Sequence, residues 1–250
     1  MEINLSGQTV LVTGASRGIG AAIARRLAAS GARVAIHYGK SREAAEALAE
    51  EISGRAFGAD LASPEACGNL WEAVIREYGV VQAVVNNAGV ALGSPLGVPT
   101  ERWLADWNQT LAVNLTATAF LTRAALPHFE QQHNGRFVNI ASRAAFRGDT
   151  PDYLAYAASK GGMVAFTRSI ARGFGKKGIK AFLVAPGFTR TEMAQDFIDQ
   201  YGEAYATNDI ALERLTEPED IAPTVAFLLS GWADHATGAT IDLNAGSYVR

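Results

Sequence analysis

Thr13-Gly14-Ala15-Ser16-Arg17-Gly18-Ile19-Gly20 joins a short apolar run, Thr9 to Thr13, to a stretch of helical period from Ile19 to Ser30. A turn of this kind between a strand and a helix leaves backbone amides unpaired at the positive end of the helix dipole, where a pyrophosphate is favoured. Its glycines allow the phosphate to approach the backbone closely. The spacing is Gly-x-x-x-Gly-x-Gly and not Gly-x-Gly-x-x-Gly, so the generic dinucleotide fingerprint applies by analogy. Gly14, Ser16, Arg17, Gly18, Ile19 and Gly20 are the first candidate cofactor contacts.

Outward from this turn the same rhythm continues. Arg33 to Tyr38 reads as a strand and Arg42 to Ile52 as a helix; a helix around Pro64 to Tyr78 precedes a strand at Ala83 to Asn86. A long helix is expected over Glu101 to His128, a strand at Arg136 to Ala141, and a helix from Tyr153 to Lys176. Strands at Lys180 to Ala185 and near Thr240 to Leu243 complete the pattern. Short strands that are apolar on both faces, alternating with helices, predict an α/β fold, a doubly wound parallel sheet of Rossmann type with helices on both faces. Ligands bind such sheets at the carboxyl ends of the strands, near the switch in strand order. Gly14, Asn87, Ser142 and Pro186 each follow a strand, so they are expected to converge on one edge. Residues 189–215, polar and aromatic by turns, interrupt the rhythm and are the candidate for a mobile lid.

At 250 residues and 48% hydrophobic, the chain is long enough for a sizeable core, and one domain over residues 1–250 is expected. A net charge of -3 and a pI of about 5.8 give no global electrostatic reason to expect nucleic acid or an anionic membrane as partner. Cys67 is the only cysteine, which excludes an intrachain disulfide and a cysteine-based metal cluster; no metal site is expected. The start, Met1 to Gly7, lacks a basic region followed by a long apolar stretch, and no later apolar run approaches membrane length. A soluble cytoplasmic protein is the expectation.

Tyr156 and Lys160 stand four residues apart in Tyr156-Ala157-Ala158-Ser159-Lys160, with Ser142 fourteen positions before the tyrosine. On a helix, positions i and i+4 share a face, so phenol and ammonium can reach one pocket. A free tyrosine titrates near ~10, and a neighbouring cation stabilises phenolate. With the glycine turn upstream, the combination reads as a nicotinamide-dependent oxidoreductase. Tyr153 is the nearest competitor for the acid, but Ala157 stands four residues after it, so it lacks a lysine.

The glycine turn together with Asp60-Leu61, Asn86-Asn87-Ala88-Gly89, Asn114, Ser142, Tyr156, Lys160 and Pro186-Gly187 resembles the short-chain dehydrogenase/reductase family over nearly the whole chain, in order. The resemblance implies roles. Tyr156 would give a proton to the alkoxide left by hydride transfer, and Ser142 would hydrogen-bond the substrate oxygen. Lys160 would lower the tyrosine pKa and hold the nicotinamide ribose, and Asn114 would order a water beside that lysine. Asp60 and Leu61 would flank the adenine, although Asp60 also stands where a cap for the helix at Pro64 would stand. Asn87, Ala88 and Gly89 would line the adenosine ribose. Pro186, Gly187, Thr189 and Thr191 match the segment that holds the carboxamide.

The cofactor itself is legible at the end of the second strand. Sheets that prefer NAD usually place a carboxylate there to bind the ribose 2'-hydroxyl; this chain has Tyr38, followed by Lys40, Ser41 and Arg42, with no acid before Glu43. A 2'-phosphate would meet those groups and Arg17 with no carboxylate to repel it, which predicts NADP(H).

Among branches of the family the chain looks most like the 3-oxoacyl-(acyl-carrier-protein) reductases, judging by Pro186 to Met193 and Arg214 to Ala222. A ketone or 3-oxoacyl thioester reductase is the leading expectation, with a polyol, sugar or other secondary-alcohol dehydrogenase second and a non-catalytic nicotinamide-sensing module a distant third. The acyl carrier protein is acidic, and Lys176 and Lys177 are the only evident docking cations. The segment Ser142 to Asp152 is one residue longer than the commonest family spacing and carries Arg143, Arg147, Asp149 and Asp152, which read first as exposed loop charges and second as contacts for a polar or ionised substrate; against a strongly polar substrate, Phe188, Met193 and Phe197 offer an apolar wall. Family members commonly form tetramers through helices matching Glu101 to His128 and Tyr153 to Lys176, and a homotetramer is expected by resemblance.

Overall fold

The computed structural model describes residues 2–192, 194, 198, 199 and 202–249; Met193 and Phe197 lie outside the described residues. Seven parallel strands form one sheet: β1 (Thr9–Val12), β2 (Arg33–Tyr38), β3 (Arg55–Gly58), β4 (Ala83–Asn86), β5 (Gly135–Ile140), β6 (Ile179–Pro186) and β7 (Thr240–Leu243). Their spatial order is β3-β2-β1-β4-β5-β6-β7. β1, β4 and β5 are buried throughout, as strands covered on both faces must be.

Alternation along β1 divides the core in two. Val10 and Val12 face a layer containing α1 (Gly18–Ala29) and α2 (Arg42–Glu51), while Leu11 faces a layer with α3 (Pro64–Tyr78). The long middle region, expected as one helix, is broken. α4 (Thr100–Leu111) runs into a single π-helical turn, Ala112–Thr116, and continues as α5 (Ala117–Gln132). After the short α6 (Ala144–Arg147), α7 (Leu154–Phe174) lies between 3-10 turns at Pro151–Tyr153 and Gly175–Lys177.

Four described elements had no range in the sequence reading: β3, α6 and two later helices. α8 (Glu203–Thr207) lies within the expected lid. α9 (Pro218–Leu229) packs its Ile221, Val225 and Leu229 on the α1 layer and begins with Pro218 at its first position, while Asp220 accepts the Glu217 amide at 2.8 Å. The chain order turns outward in both directions from β1 and β4, and the crevice between their carboxyl ends is the place such a sheet offers a ligand.

Candidate active site

The glycine turn is built as a cradle. Gly14 and Gly18 have φ of +61° and +54°, a region that side chains rarely enter. A Cβ on Gly20 would lie 2.3 Å from the Gly14 carbonyl oxygen and 2.5 Å from Nδ2 of Asn87. Asn87 explains why: its Nδ2 donates to the carbonyls of Thr13 and Gly14 at 2.9 and 3.0 Å, tying the turn to the end of β4. Thr13 returns the contact, its Oγ1 accepting the amides of Asn87 and Ala88. The first turn of α1 has no side-chain cap and no acidic residue. Its amides therefore keep the arrangement that a pyrophosphate would satisfy, and the residues present fit a dinucleotide.

A residue that sequence reasoning passed over holds this turn from the other side. His37, 2% exposed, accepts the Gly14 amide on Nδ1 at 3.1 Å, and its Nε2 lies 3.1 Å from the Ala59 carbonyl. Burial pushes its imidazole below the usual 6.5, which keeps it neutral with the proton on Nε2. Only its place one residue before Tyr38 hinted at the site.

At the end of β2, Tyr38 lies against the bare backbone of Gly58, where a Cβ would fall 2.9 Å from the phenol oxygen. Lys40 is exposed, and Ser41 holds the cap position of α2 without a side-chain cap bond. Asp60 does not cap α3. Its Oδ1 accepts the Ala62 amide, and Ser63 is the cap, accepting the Ala66 amide at 3.2 Å. Leu61 is buried beside them. Arg17 is placed differently from the expectation of a guanidinium held open for phosphate: it pairs with Glu192 across the crevice, both side chains well exposed.

Ser142, Tyr156, Lys160 and Asn114 come together at the ends of β4 and β5. The Ser142 hydroxyl accepts the Ala144 amide at 3.1 Å and lies close enough to the Tyr156 phenol to draw its pKa down. Lys160 is 3% exposed, donates to the Ile140 carbonyl at 2.8 Å, and holds its Nζ 5.8 Å from the Tyr156 ring centroid. Asn114 sits in the π-helical turn. Its Oδ1 accepts the Val90 amide at 2.8 Å, and its Nδ2 donates to the Val90 carbonyl and to Ser159 Oγ. Gly89 makes room, since a Cβ there would stand 3.3 Å from Asn114 Oδ1 and 3.5 Å from Lys160 Nζ.

The electrostatics differ from the expected lysine-depressed phenol. Burial pushes the Tyr156 phenol above its usual value, more than the Ser142 hydroxyl lowers it, and Asp149 pushes it further up. Burial also brings the Lys160 ammonium down to about 8. Desolvation works against the charged form of both groups, and Lys160 is not among the groups that pull the phenol down. The side-chain atoms of Asn114 are already bonded, and its carbonyl accepts the Thr118 hydroxyl at 3.2 Å.

Beyond β6, Gly187 packs so closely that a Cβ would fall 2.8 Å from Asn244 Cα. Thr189 Oγ1 donates to the Gly187 carbonyl, Thr191 Oγ1 donates to the Thr189 carbonyl, and the Thr191 methyl stands over Gly18. Thr189 bridges to Thr216, and the Ala211 amide donates to the Ala245 carbonyl, so both ends of the 189–215 segment are tied to the body. Tyr153 lines the cleft beside Gly93.

Residues 14–247 match the model of a family described as enoyl-(acyl carrier protein) reductase. The 3-oxoacyl-(acyl-carrier-protein) reductase FabG of Aquifex aeolicus is 36% identical over 254 residues, covering 99% of this chain and 100% of the relative. A short chain dehydrogenase from Burkholderia cenocepacia, solved in complex with NADP, is 36% identical with a TM-score of 0.89, over 98% of this chain and 99% of that one. A putative gluconate dehydrogenase from Agrobacterium tumefaciens reaches a TM-score of 0.91 at 29% identity, over 100% of both chains. The chain belongs to the short-chain dehydrogenase/reductase family.

Proposed function

We propose that the protein is an NADP(H)-dependent reductase of ketones or 3-oxoacyl thioesters. The observation that carries this is the convergence of Ser142, Tyr156 and Lys160 beside a glycine cradle whose helix amides have no side-chain cap. When bound, the cofactor supplies the hydride; a carbonyl and a proton then become an alcohol as the nicotinamide is oxidised. Tyr156 delivers the phenolic proton to the carbonyl oxygen, and Ser142 donates a hydrogen bond to the same oxygen. Lys160, fixed on Ile140, holds the ribose hydroxyls, and Asn114 fixes the backbone at Val90 beside it. Gly14, Ser16, Gly18, Ile19 and Gly20 receive the pyrophosphate, Asp60, Leu61, Asn87, Ala88 and Gly89 the adenosine, and Pro186, Gly187, Thr189 and Thr191 the carboxamide. Tyr38, Lys40 and Ser41, with no carboxylate among them, favour a 2'-phosphate, which Arg17 would meet on leaving Glu192, and the NADP bound by the Burkholderia relative supports that choice. Residues 189–215 act as the lid.

A second reading, a sugar or secondary-alcohol dehydrogenase working in the oxidative direction, is favoured by the likeness to the Agrobacterium protein. Carrier-protein docking has weak support, because Lys177 is already paired with Glu130 at 2.9 Å. We assign a homotetramer in the cytoplasm. The outer faces of α5 and α7 frame a groove of about 380 Å³ that includes Leu126, Phe166 and Phe174, and Leu104, Leu154 and Trp232 are exposed. A monomeric mass by sedimentation at assay concentration would sink that assignment.

The function is tested by NADPH consumption with a short 3-oxoacyl thioester, wild type beside Tyr156→Phe. Loss of turnover by roughly a hundredfold or more in the variant, with NADPH still bound, is the expected outcome. Retained turnover would overturn the role of Tyr156, and NADH bound more tightly than NADPH would overturn the cofactor.

A further inference from the structure

Two arginines next to Ser142 converge on a single oxygen. Nη1 of Arg143 and Nη1 of Arg147 donate to Oδ2 of Asp209 at 2.6 and 2.7 Å. The Arg143 side chain is 8% exposed, its guanidinium carbon lies 4.5 Å from the Phe188 ring centroid, and its amide donates to the Pro186 carbonyl. The base of this fork is thus fixed at the ends of β5 and β6, where the reacting groups also sit.

A guanidinium taken from water needs its donors met. Nε and Nη2 of Arg143 have no acceptor among the described residues, and neither is among the buried nitrogens sealed from solvent. Burial and the like charge of Arg147 both hold the Arg143 guanidinium below its ordinary pKa, so one shared carboxylate does not compensate it fully. Asp209, by contrast, is 36% exposed and lies on the 189–215 segment. Asp149 gauges the distance to the chemistry. Desolvation raises its carboxyl pKa on balance, but both guanidiniums are near enough to pull against that rise, and Asp149 is near enough to push the Tyr156 phenol up.

We propose that Arg143 and Arg147 bind a carboxylate on the substrate, which takes the place of Asp209 as it docks, so that the preferred substrates are oxo acids. This rests on the reductase reading above. Exchanging one carboxylate for another leaves the local charge unchanged, and a planar fork suits a two-oxygen ligand. A ligand from outside can also orient itself to the idle Nε and Nη2, which Asp209 does not reach.

The test is NADPH consumption with 2-oxobutanoate, 3-oxobutanoate, 4-oxopentanoate and 5-oxohexanoate, each beside its methyl ester. At least one acid should exceed its ester in kcat/KM by roughly tenfold or more, the scale of hydrogen bonds to a charged group. Arg147→Met should collapse that acid-to-ester ratio through the KM of the acid, Arg147→Lys should restore part of it, and Asp209→Asn should raise the ratio. A structural role for the ion pair instead predicts equal losses on acid and ester in all three variants, and that result overturns the proposal. Esters matching or exceeding every acid also overturn it, while leaving the reductase reading intact. Absence of turnover with any acid, ester or thioester would overturn both.

Discussion

Nζ of Lys160 stands 5.8 Å from the Tyr156 ring, one helical turn along α7, and is anchored to the Ile140 carbonyl and not to any carboxylate. A buried ammonium without an anion is costly to the folded chain, and the cost is visible in its titration.

The pH dependence of that cost has a definite sign. The folded-state pKa of Lys160 is about 8 against an ordinary 10.5, so between those values the unfolded chain binds more protons and stability rises with pH. Below about 8 the penalty is fully present. Lys160→Met should therefore be more stable than wild type at pH 7 without cofactor, by at most roughly 3 kcal/mol less the lost bond to Ile140. The gap should narrow as pH climbs toward 10.5. Urea unfolding across this range checks it; a gap that widens with pH would refute it.

On the proposed cofactor assignment, Glu192 competes with the 2'-phosphate for Arg17. Both side chains are exposed, so the ion pair contributes little to stability and its loss should leave Tm nearly unmoved. Arg17→Met should weaken NADPH binding by about tenfold while changing NADH far less. Glu192→Gln should tighten NADPH. Fluorescence titration of both cofactors decides the matter, and equal effects on NADPH and NADH would place Arg17 away from the 2'-phosphate.

Gly20 and Gly39 make a controlled pair. A Cβ at Gly20 meets two atoms of the cradle within 2.5 Å, whereas one at Gly39 meets nothing within 4 Å. Gly20→Ala should cost about 1–3 kcal/mol and abolish measurable NADPH binding. Gly39→Ala should leave both close to wild type. Matching denaturation and binding curves for the two variants would show that the cradle yields more easily than its contacts suggest.

His37 should make cofactor binding acid-sensitive. Protonating Nδ1 removes the acceptor for the Gly14 amide, and because the folded imidazole titrates below 6.5, stability is lost as pH falls through its folded pKa. NADPH affinity should therefore drop as pH falls below 6.5 more in wild type than in His37→Asn. The difference between the two proteins separates the imidazole from titration of the cofactor's own phosphate. Parallel pH profiles would rule His37 out.

Much of this was written in short-range signals. The apolar runs of β1, β4, β5 and β6 and the glycine turn announce the sheet and its crevice, and the four-residue spacing of Tyr156 and Lys160 places both on one helix face. What stayed hidden depends on contacts distant in sequence. Glu192 reaches Arg17 across 175 residues and Asp209 reaches Arg143 across 66, and no local pattern encodes either. The charges of the Ser142 to Asp152 loop could be read, but not their partner. His37 was missed because an apolar strand gives no sign that one buried member bonds a neighbouring turn. The break at Ala112–Thr116 escaped because the residues around Asn114 suit an uninterrupted helix, and only the bonds from Asn114 to Val90 and Ser159 favour the wider turn.

That wider turn gives the chain a strict count. A π-helical turn accommodates one residue more than the α-helix around it. Deleting a single residue between Ala112 and Thr116 would let α4 and α5 merge into regular helix, locally the easier conformation. The wider turn already absorbs that extra residue, so Leu121, Ala125 and Phe129 would keep their places in the core, and what would be lost is the placement of Asn114 against Val90 and Ser159. Homologous chains should therefore vary freely in length around residues 189–215 and hold their length constant here, in the middle of a helix, where an alignment gap would ordinarily be thought harmless.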